Sequence, residues 1–331
     1  MDLDALAAAR RDEWDRLDRL GRARSLSGAD ADELISRYQS AGADLAAIRS
    51  TAGSSAFGDR LTVLVARARL RFAGTPVNPL EQLSAFFLRQ LPAALYRIRW
   101  LTLAVGAAFL LLVVVYALWA STSPQLMASL GSAAQLEQYA EEDFVGYYSE
   151  FSGTAFTSLV WTNNAWIAAQ CIAFGIFGVF GPAALLQNAQ GLGISAAVMS
   201  SHDQFDTFLL YLAPHGQLEL FSLFVAGAAG LRIFWAWIAP GPRTRGAALA
   251  EDGRALFAVA IGLVISLLVS GLIEGWITRL DWPWVVKIGI GTVALTGFLL
   301  VQWVVGRRAY RAGETGDLDE FEAGARRLVA A

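Results

Sequence analysis

The sequence predicts an all-α polytopic membrane protein: six full spans plus one short broken or re-entrant helix, preceded by a cytoplasmic helical segment. Three observations predict it. First, 55% of the 331 residues are hydrophobic and the mean hydropathy is +0.45. A water-soluble chain of this length builds its core with less, so the excess calls for a second solvent. Second, stretches 101–119, 159–180, 218–238, 256–277 and 284–305 are apolar, each near the ~20 residues of helix that a ~30 Å hydrocarbon core demands. Third, no arginine or lysine lies between Arg99 and Arg232, a charge asymmetry that sets orientation.

The elements follow in order. Met1 to Arg24 is charged throughout, with no apolar signal-peptide core, so insertion is expected to be directed by the first span. A helix over about 3–22 carries a weak stripe of Leu6, Trp14 and Leu17. Ser27 and Asp30 offer N-caps to a second helix, whose Leu34, Tyr38, Ala41, Leu45 and Ile48 recur at spacings of four and three. Phe57, Leu61, Leu64 and Ala68 repeat the pattern after a break at Gly53-Ser54-Ser55. Residues 1–78 therefore read as a small cytoplasmic bundle. Residues 79–98 mix Leu83, Phe86, Phe87, Leu91 and Leu95 with Arg89 and Arg97, and read as an amphipathic helix in the membrane interface. Residues 99–306 form the transmembrane domain and 307–331 a cytoplasmic tail.

Within that domain, 185–199 is shorter and contains glycine, yet is apolar enough to span. Residues 205–212 are too few, and read as a half-helix broken at Pro214-His215-Gly216, because proline and glycine both interrupt helical pairing. Arg89, Arg97 and Arg99 crowd the start of the first span, Arg243, Arg245 and Arg254 follow the fourth, and Arg307, Arg308 and Arg311 follow the last. Glu137, Glu141, Glu142, Asp143 and Glu150 fall in the connection after the first span. This pattern puts both termini in the cytoplasm and the acidic loops outside.

Composition also excludes. A net charge of -3 argues against nucleic acid as a partner. Cys171, the single cysteine, allows neither a disulfide framework nor a cysteine-based zinc site. Gly-x-Ser-x-Gly and phosphate-binding glycine loops are absent.

Polar side chains inside apolar stretches cost about 2.5–3.5 kcal/mol when charged and central, so each asks for a reason. Asn163 and Asn164 open the second span, where they serve as interhelical hydrogen-bonding glue or as part of a site. Gln187, Asn188 and Gln190 open the third. His215 and Glu219, four apart, share one helix face beside the break. They read either as a proton carrier or ligand with its carboxylate partner, or as a plain helix cap in the case of Glu219. Arg232 is expected to be paired or to snorkel inward. Glu274 lies near the outer end of its span, either solvated or part of the same site. Gly175, Gly178, Gly181, Gly227 and Gly230 allow helices to pack closely.

The ordered set Asn163-Asn164, Asn188-Ala189-Gln190-Gly191-Leu192-Gly193, Pro214-His215-Gly216-x-x-Glu219, and Ile273-Glu274-Gly275-Trp276-Ile277-Thr278 resembles the stage II sporulation protein M family. The resemblance implies that Asn164, His215, Glu219 and Glu274 match the family's polar signature. It also implies a non-enzymatic membrane scaffold or assembly protein of the bacterial cell envelope, in the cytoplasmic membrane and without a cofactor. Relatives are often encoded beside MoxR-type ATPases and RDD-family membrane proteins, which makes these expected partners together with membrane lipids. The long segment before residue 98 departs from the sporulation type and points to a cytoplasmic partner. Glycine-faced helices also invite a homodimer. The alternative is a transporter, channel or lipid-translocating protein that uses the polar intramembrane residues. A third reading is an intramembrane hydrolase or metalloenzyme, should His215, Glu219 and Glu274 converge; which metal would bind is left open.

Overall fold

In a computed structural model the described residues are 3–23, 26–52, 56–73, 79–148 and 152–318, and every regular element among them is a helix. They divide into two compact units between Gln82 and Leu83.

The first unit holds α1 (Leu3–Arg22), α2 (Gly28–Ala52) and α3 (Ala56–Ala73). Each presents one apolar stripe, and the stripes meet: Trp14, Leu17 and Leu20 from α1, Leu34, Ala41 and Ile48 from α2, and Leu61, Leu64 and Ala68 from α3 are all buried. Burying one such leucine or isoleucine is worth about 1.5–3 kcal/mol, and this outweighs the ion pairs around it. Those pairs stay outside: Arg16 meets Asp30 at 3.1 Å and Glu33 at 2.7 Å, and Arg37 meets Glu33 at 2.7 Å. Ser27 caps α2, its Oγ accepting from the Asp30 amide at 3.1 Å. The expected Gly53-Ser54-Ser55 break lies outside the described residues.

The second unit begins inside α4 (Pro79–Ala85), which passes through a π-turn at Phe86–Gln90 into α5 (Leu91–Arg97). Residues 79–97 thus run helically from end to end, with a π-turn inside. Leu91, Ala94, Leu95 and Ile98 are buried in the unit's main core, whereas Leu83, Phe87 and Leu88 are exposed. Then come α6 (Arg99–Thr122), the short α7 (Pro124–Leu130), α8 (Ala133–Gln138) and α9 (Phe144–Tyr147), and the long helices α10 (Gly153–Ala173), α11 (Phe180–Ser201), α12 (Phe205–Ile238), α13 (Arg245–Leu272) and α14 (Trp284–Leu300). A final α15 (Gly306–Arg311) leads to Thr315, whose carbonyl accepts from Arg97 at 2.8 Å, and to Asp317, which Arg254 pairs at 2.6 Å. The described part of the tail thus folds back onto the same unit.

Four helices among the described residues are long and apolar enough to cross a membrane: Arg99–Thr122, Phe205–Ile238, Arg245–Ile277 and Trp284–Arg311. With the outward face of α6 made of Leu103, Leu110, Leu111, Val114, Val115 and Leu118, this is a membrane protein. Helices α10 and α11 have 21 and 22 residues. They fall short in apolarity, because Thr162, Asn163 and Asn164 dilute one and Gln187, Asn188 and Gln190 the other.

The core forms around α12, which packs against α6, α10, α11, α13 and α14. At 34 residues it is about 50 Å long. This corrects the expected half-helix and break: Pro214, His215 and Gly216 lie inside one continuous helix. A proline mid-helix removes one backbone bond and crowds the preceding turn, at about 3 kcal/mol. Around it the helix makes extra bonds: Ser270 Oγ of α13 donates to the His215 carbonyl at 3.1 Å, and Gln217 Nε2 of α12 itself to the Ala213 carbonyl at 2.9 Å. The Pro214 carbonyl lies against Gly291 of α14, where any Cβ would overlap it.

Two further expectations change. The stretch 159–180 is not one helix: α10 stops at Ala173, and a 3₁₀ turn at Gly175–Phe177 with Gly178 at φ 70° leads into α11. Asn163–Asn164 and Gln187–Asn188 therefore sit inside their helices, not at their starts. The turn brings Gly175 against Gly230 of α12, where a side chain on either residue would meet backbone atoms.

Candidate functional site

The site is assembled from three helices, α10, α12 and α13, at the level of Pro214. Helix α12 supplies His215 and Glu219, one turn apart on one face. Helix α13 ends in a π-turn, Ile273–Ile277, in which the Thr278 amide donates to the Ile273 carbonyl five residues back, at 2.9 Å. Such a turn inserts one residue into the helix and re-aims its side chains. Gly275 lets the turn touch α10, since a Cβ there would run into Thr157 and the Gly153 carbonyl. Lys287 closes the end of the helix, its Nζ donating to the Thr278 carbonyl at 2.9 Å. Glu274, one turn after the buried Ser270, points inward.

Glu274 Oε1 lies 3.6 Å from His215 Nε2, and both side chains are about 95% buried, at 6% and 5% exposure. Glu274 is therefore not solvated at an outer interface. Glu219 accepts from Ser270 Oγ at 3.4 Å, and the Asn164 side chain lies beside the same carboxylate. One ligand atom from each of His215, Glu219 and Glu274 falls within 4.8 Å of the others. His215 Nδ1 and Glu274 Oε2 are buried without a hydrogen-bond partner. Among the described residues, no arginine or lysine pairs with either carboxylate. The Glu219 cap reading falls too, since Glu219 lies well inside α12.

Beside this cluster is a cavity of about 570 Å³, lined by Glu219, Asn163, Asn188, Gln187, Ser195 and Tyr148 among others. Glu219 belongs to both the cluster and the cavity wall. Asn188 reaches only the cavity, its Nδ2 donating to the Ala184 carbonyl at 2.8 Å, while Asn163 reaches the cluster only through Asn164, its Nδ2 3.5 Å from Asn164 Oδ1. Pro214 and Gly216 give the site its backbone and no ligand atom. Aromatic rings cover the cluster, with Tyr148 6.0 Å from the His215 ring and 5.1 Å from Tyr211.

Sequence reasoning missed Ser270 and Tyr148. A serine in an apolar helix and a tyrosine at a helix end carry no motif, and the one usable signal was that Ser270 precedes Glu274 by one turn.

A second charged cluster lies at the other end of α12. Asp252, 2% exposed at its side chain, is met by Arg97 at 2.7 Å, Arg232 at 3.2 Å and Arg243 at 3.4 Å, and Glu251 pairs with Arg243 at 2.7 Å. The expectation that Arg232 is paired is met here.

A family model described as Stage II sporulation protein M matches residues 102–279, more than half of the chain. A second, a domain of unknown function (DUF8413), matches residues 4–74. No curated protein and no solved structure matches.

Proposed function

Because the chain belongs to the stage II sporulation protein M family, and its membrane unit carries a polar cluster on the wall of a cavity, we propose that it is a non-enzymatic membrane protein that binds and translocates a small polar or cationic solute. The observation that carries this is the meeting of Asn164, His215, Glu219, Ser270 and Glu274, from three packed helices, at one depth. Polar groups at that depth have a use where a solute must exchange its water shell for protein ligands. In this reading α10 and α11 also cross the bilayer, making six spans, with both termini in the bacterial cytoplasm. The arginines of α5, the 243–245 loop and α15 support that orientation.

Reconstituted vesicles test it, with a pH dye, a divalent-cation indicator and a fluorescent lipid as three separate readouts. Flux above that of empty vesicles in one readout, lost in Glu219→Gln, is the expected result. Three silent readouts would remove the reading.

A scaffold or assembly role at the cell envelope is favoured by a different observation. Residues 4–74 match a family model of their own and close their own core, as a docking module would. MoxR-type ATPases, RDD-family proteins or a second copy of the chain are the partners to seek. Crosslinking in membranes tests it, with loss of the crosslinked species on deletion of 1–78 as the expected outcome.

A further inference from the structure

The same unit neutralises its two buried acidic centres in opposite ways. Asp252 is surrounded by three guanidinium groups. Glu219 and Glu274 lie together beside His215, and among the described residues no arginine or lysine pairs with either. Two carboxylates this close, screened from water, repel by several kcal/mol and lose solvation as well. Something positive has to join them.

We infer that His215, Glu219 and Glu274 form a binding site for one divalent transition-metal ion, with a coordination position left open toward the cavity. One imidazole and two carboxylates carry a charge of minus two, which a divalent ion cancels without remainder. The donor set mixes borderline nitrogen with hard oxygen, which suits zinc, manganese or iron better than calcium or magnesium, the ions that favour all-oxygen shells. The geometry is close to what such an ion needs. Donors around tetrahedral zinc stand about 3.4 Å apart. His215 Nε2 and Glu274 Oε1 are already 3.6 Å apart, and one ligand atom from each of the three residues lies within 4.8 Å of the others. Glu274 Oε2, buried without a hydrogen-bond partner, gives the site spare ligating capacity. Around it, Ser270 holds the Glu219 carboxylate, with Asn164 beside it, as outer hydrogen bonds hold ligands in metal sites. Glu219 also lines the cavity, so a bound ion would be reachable by water or solute, with Tyr148 of the same wall packed beside the His215 ring.

This inference deepens the translocation reading but stands or falls separately. The experiment uses the full chain, tag removed, purified in detergent, stripped with chelator, exposed to Zn²⁺ or Mn²⁺ and desalted. Metal analysis should find about one ion per chain, and excess Mg²⁺ should not displace it. His215→Gln and Glu274→Gln should each weaken binding at least tenfold. Co²⁺ added to the wild-type chain should give the intense visible bands of a four- or five-coordinate ion. Equal metal content in wild type and both variants, or a Co²⁺ spectrum of a six-coordinate aquo ion, overturns the site. If a variant fails to fold, the wild-type stoichiometry and Co²⁺ spectrum decide alone. Bound zinc with no flux overturns translocation and leaves the metal site standing; flux without bound metal does the reverse.

Discussion

The two units of this chain solve the placement of charge in opposite senses. In the three-helix unit the interior is apolar but for Asp44, which accepts from Trp14 Nε1 at 3.1 Å, and charges such as Arg16, Glu33 and Arg37, each about a third exposed, ring it. In the membrane unit the periphery is apolar and the charges are inside, at Asp252 near one end of α12 and at His215, Glu219 and Glu274 beside Pro214. The difference follows from the solvent. Water screens an exposed ion pair until it contributes little, whereas lipid drives every charge inward until it meets a partner. Charge is thus ornamental to the stability of the first unit and structural in the second.

The largest test of that contrast is Asp252→Ala. Removing the carboxylate leaves Arg97, Arg232 and Arg243 facing one another, at about 3–5 kcal/mol. Thermal unfolding in detergent should shift sharply down, and an unchanged midpoint would mean that the cluster is solvated after all. Next comes Leu17→Ala, which empties the centre of the three-helix core at about 3 kcal/mol. Limited proteolysis of the full chain should accelerate within residues 1–78 while the membrane unit resists; cleavage rising equally in both would break the division into two units. Gly230→Ala should cost about 2 kcal/mol, because the added methyl meets the Cys171 carbonyl, which cannot swing away. A neutral Gly230→Ala would show that the 173–180 turn yields.

The smallest expected effect is titration of Glu33. Arg16 and then Arg37 hold its carboxyl at about 2, below the ordinary 4.5. A carboxyl depressed on folding stabilises fully above its unfolded value and loses that contribution as pH falls through the folded one. The contribution of Glu33 should therefore fade between about pH 4.5 and 2. Hydrogen exchange in α1 and α2 should show that dependence in wild type and lack it in Glu33→Gln.

Much of this was legible in the residues. Helical spacing alone marked Leu34, Ala41, Ile48, Leu61, Leu64 and Ala68, because amphipathic periodicity is a local signal. The polar residues of the site were also visible, since lipid makes each one conspicuous, and His215, Glu219, Glu274 and Asn164 do meet. Two features were not legible, and for one reason. A local rule said that Pro214 ends a helix, but Gly291 and Ser270, more than fifty positions away, supply the room and the hydrogen bond that carry it through. Likewise Asn188, alike in composition to Asn164, lines the cavity without touching the cluster, and Asn163 reaches it only through Asn164. Which polar residue faces which neighbour depends on packing that no short window contains.

The π-turn at Ile273–Ile277 places a surplus residue just after Glu274. Deleting one residue between 275 and 277 would restore an ordinary helical period and swing everything beyond it by about 100°. Glu274 would keep the face that it shares with Ser270, while the Thr278 carbonyl would turn away from Lys287. Hydropathy, length and charge would hardly change. Two family members indistinguishable by span and composition can therefore differ in how this helix end is closed, and counting residues between Glu274 and Thr278 tells them apart.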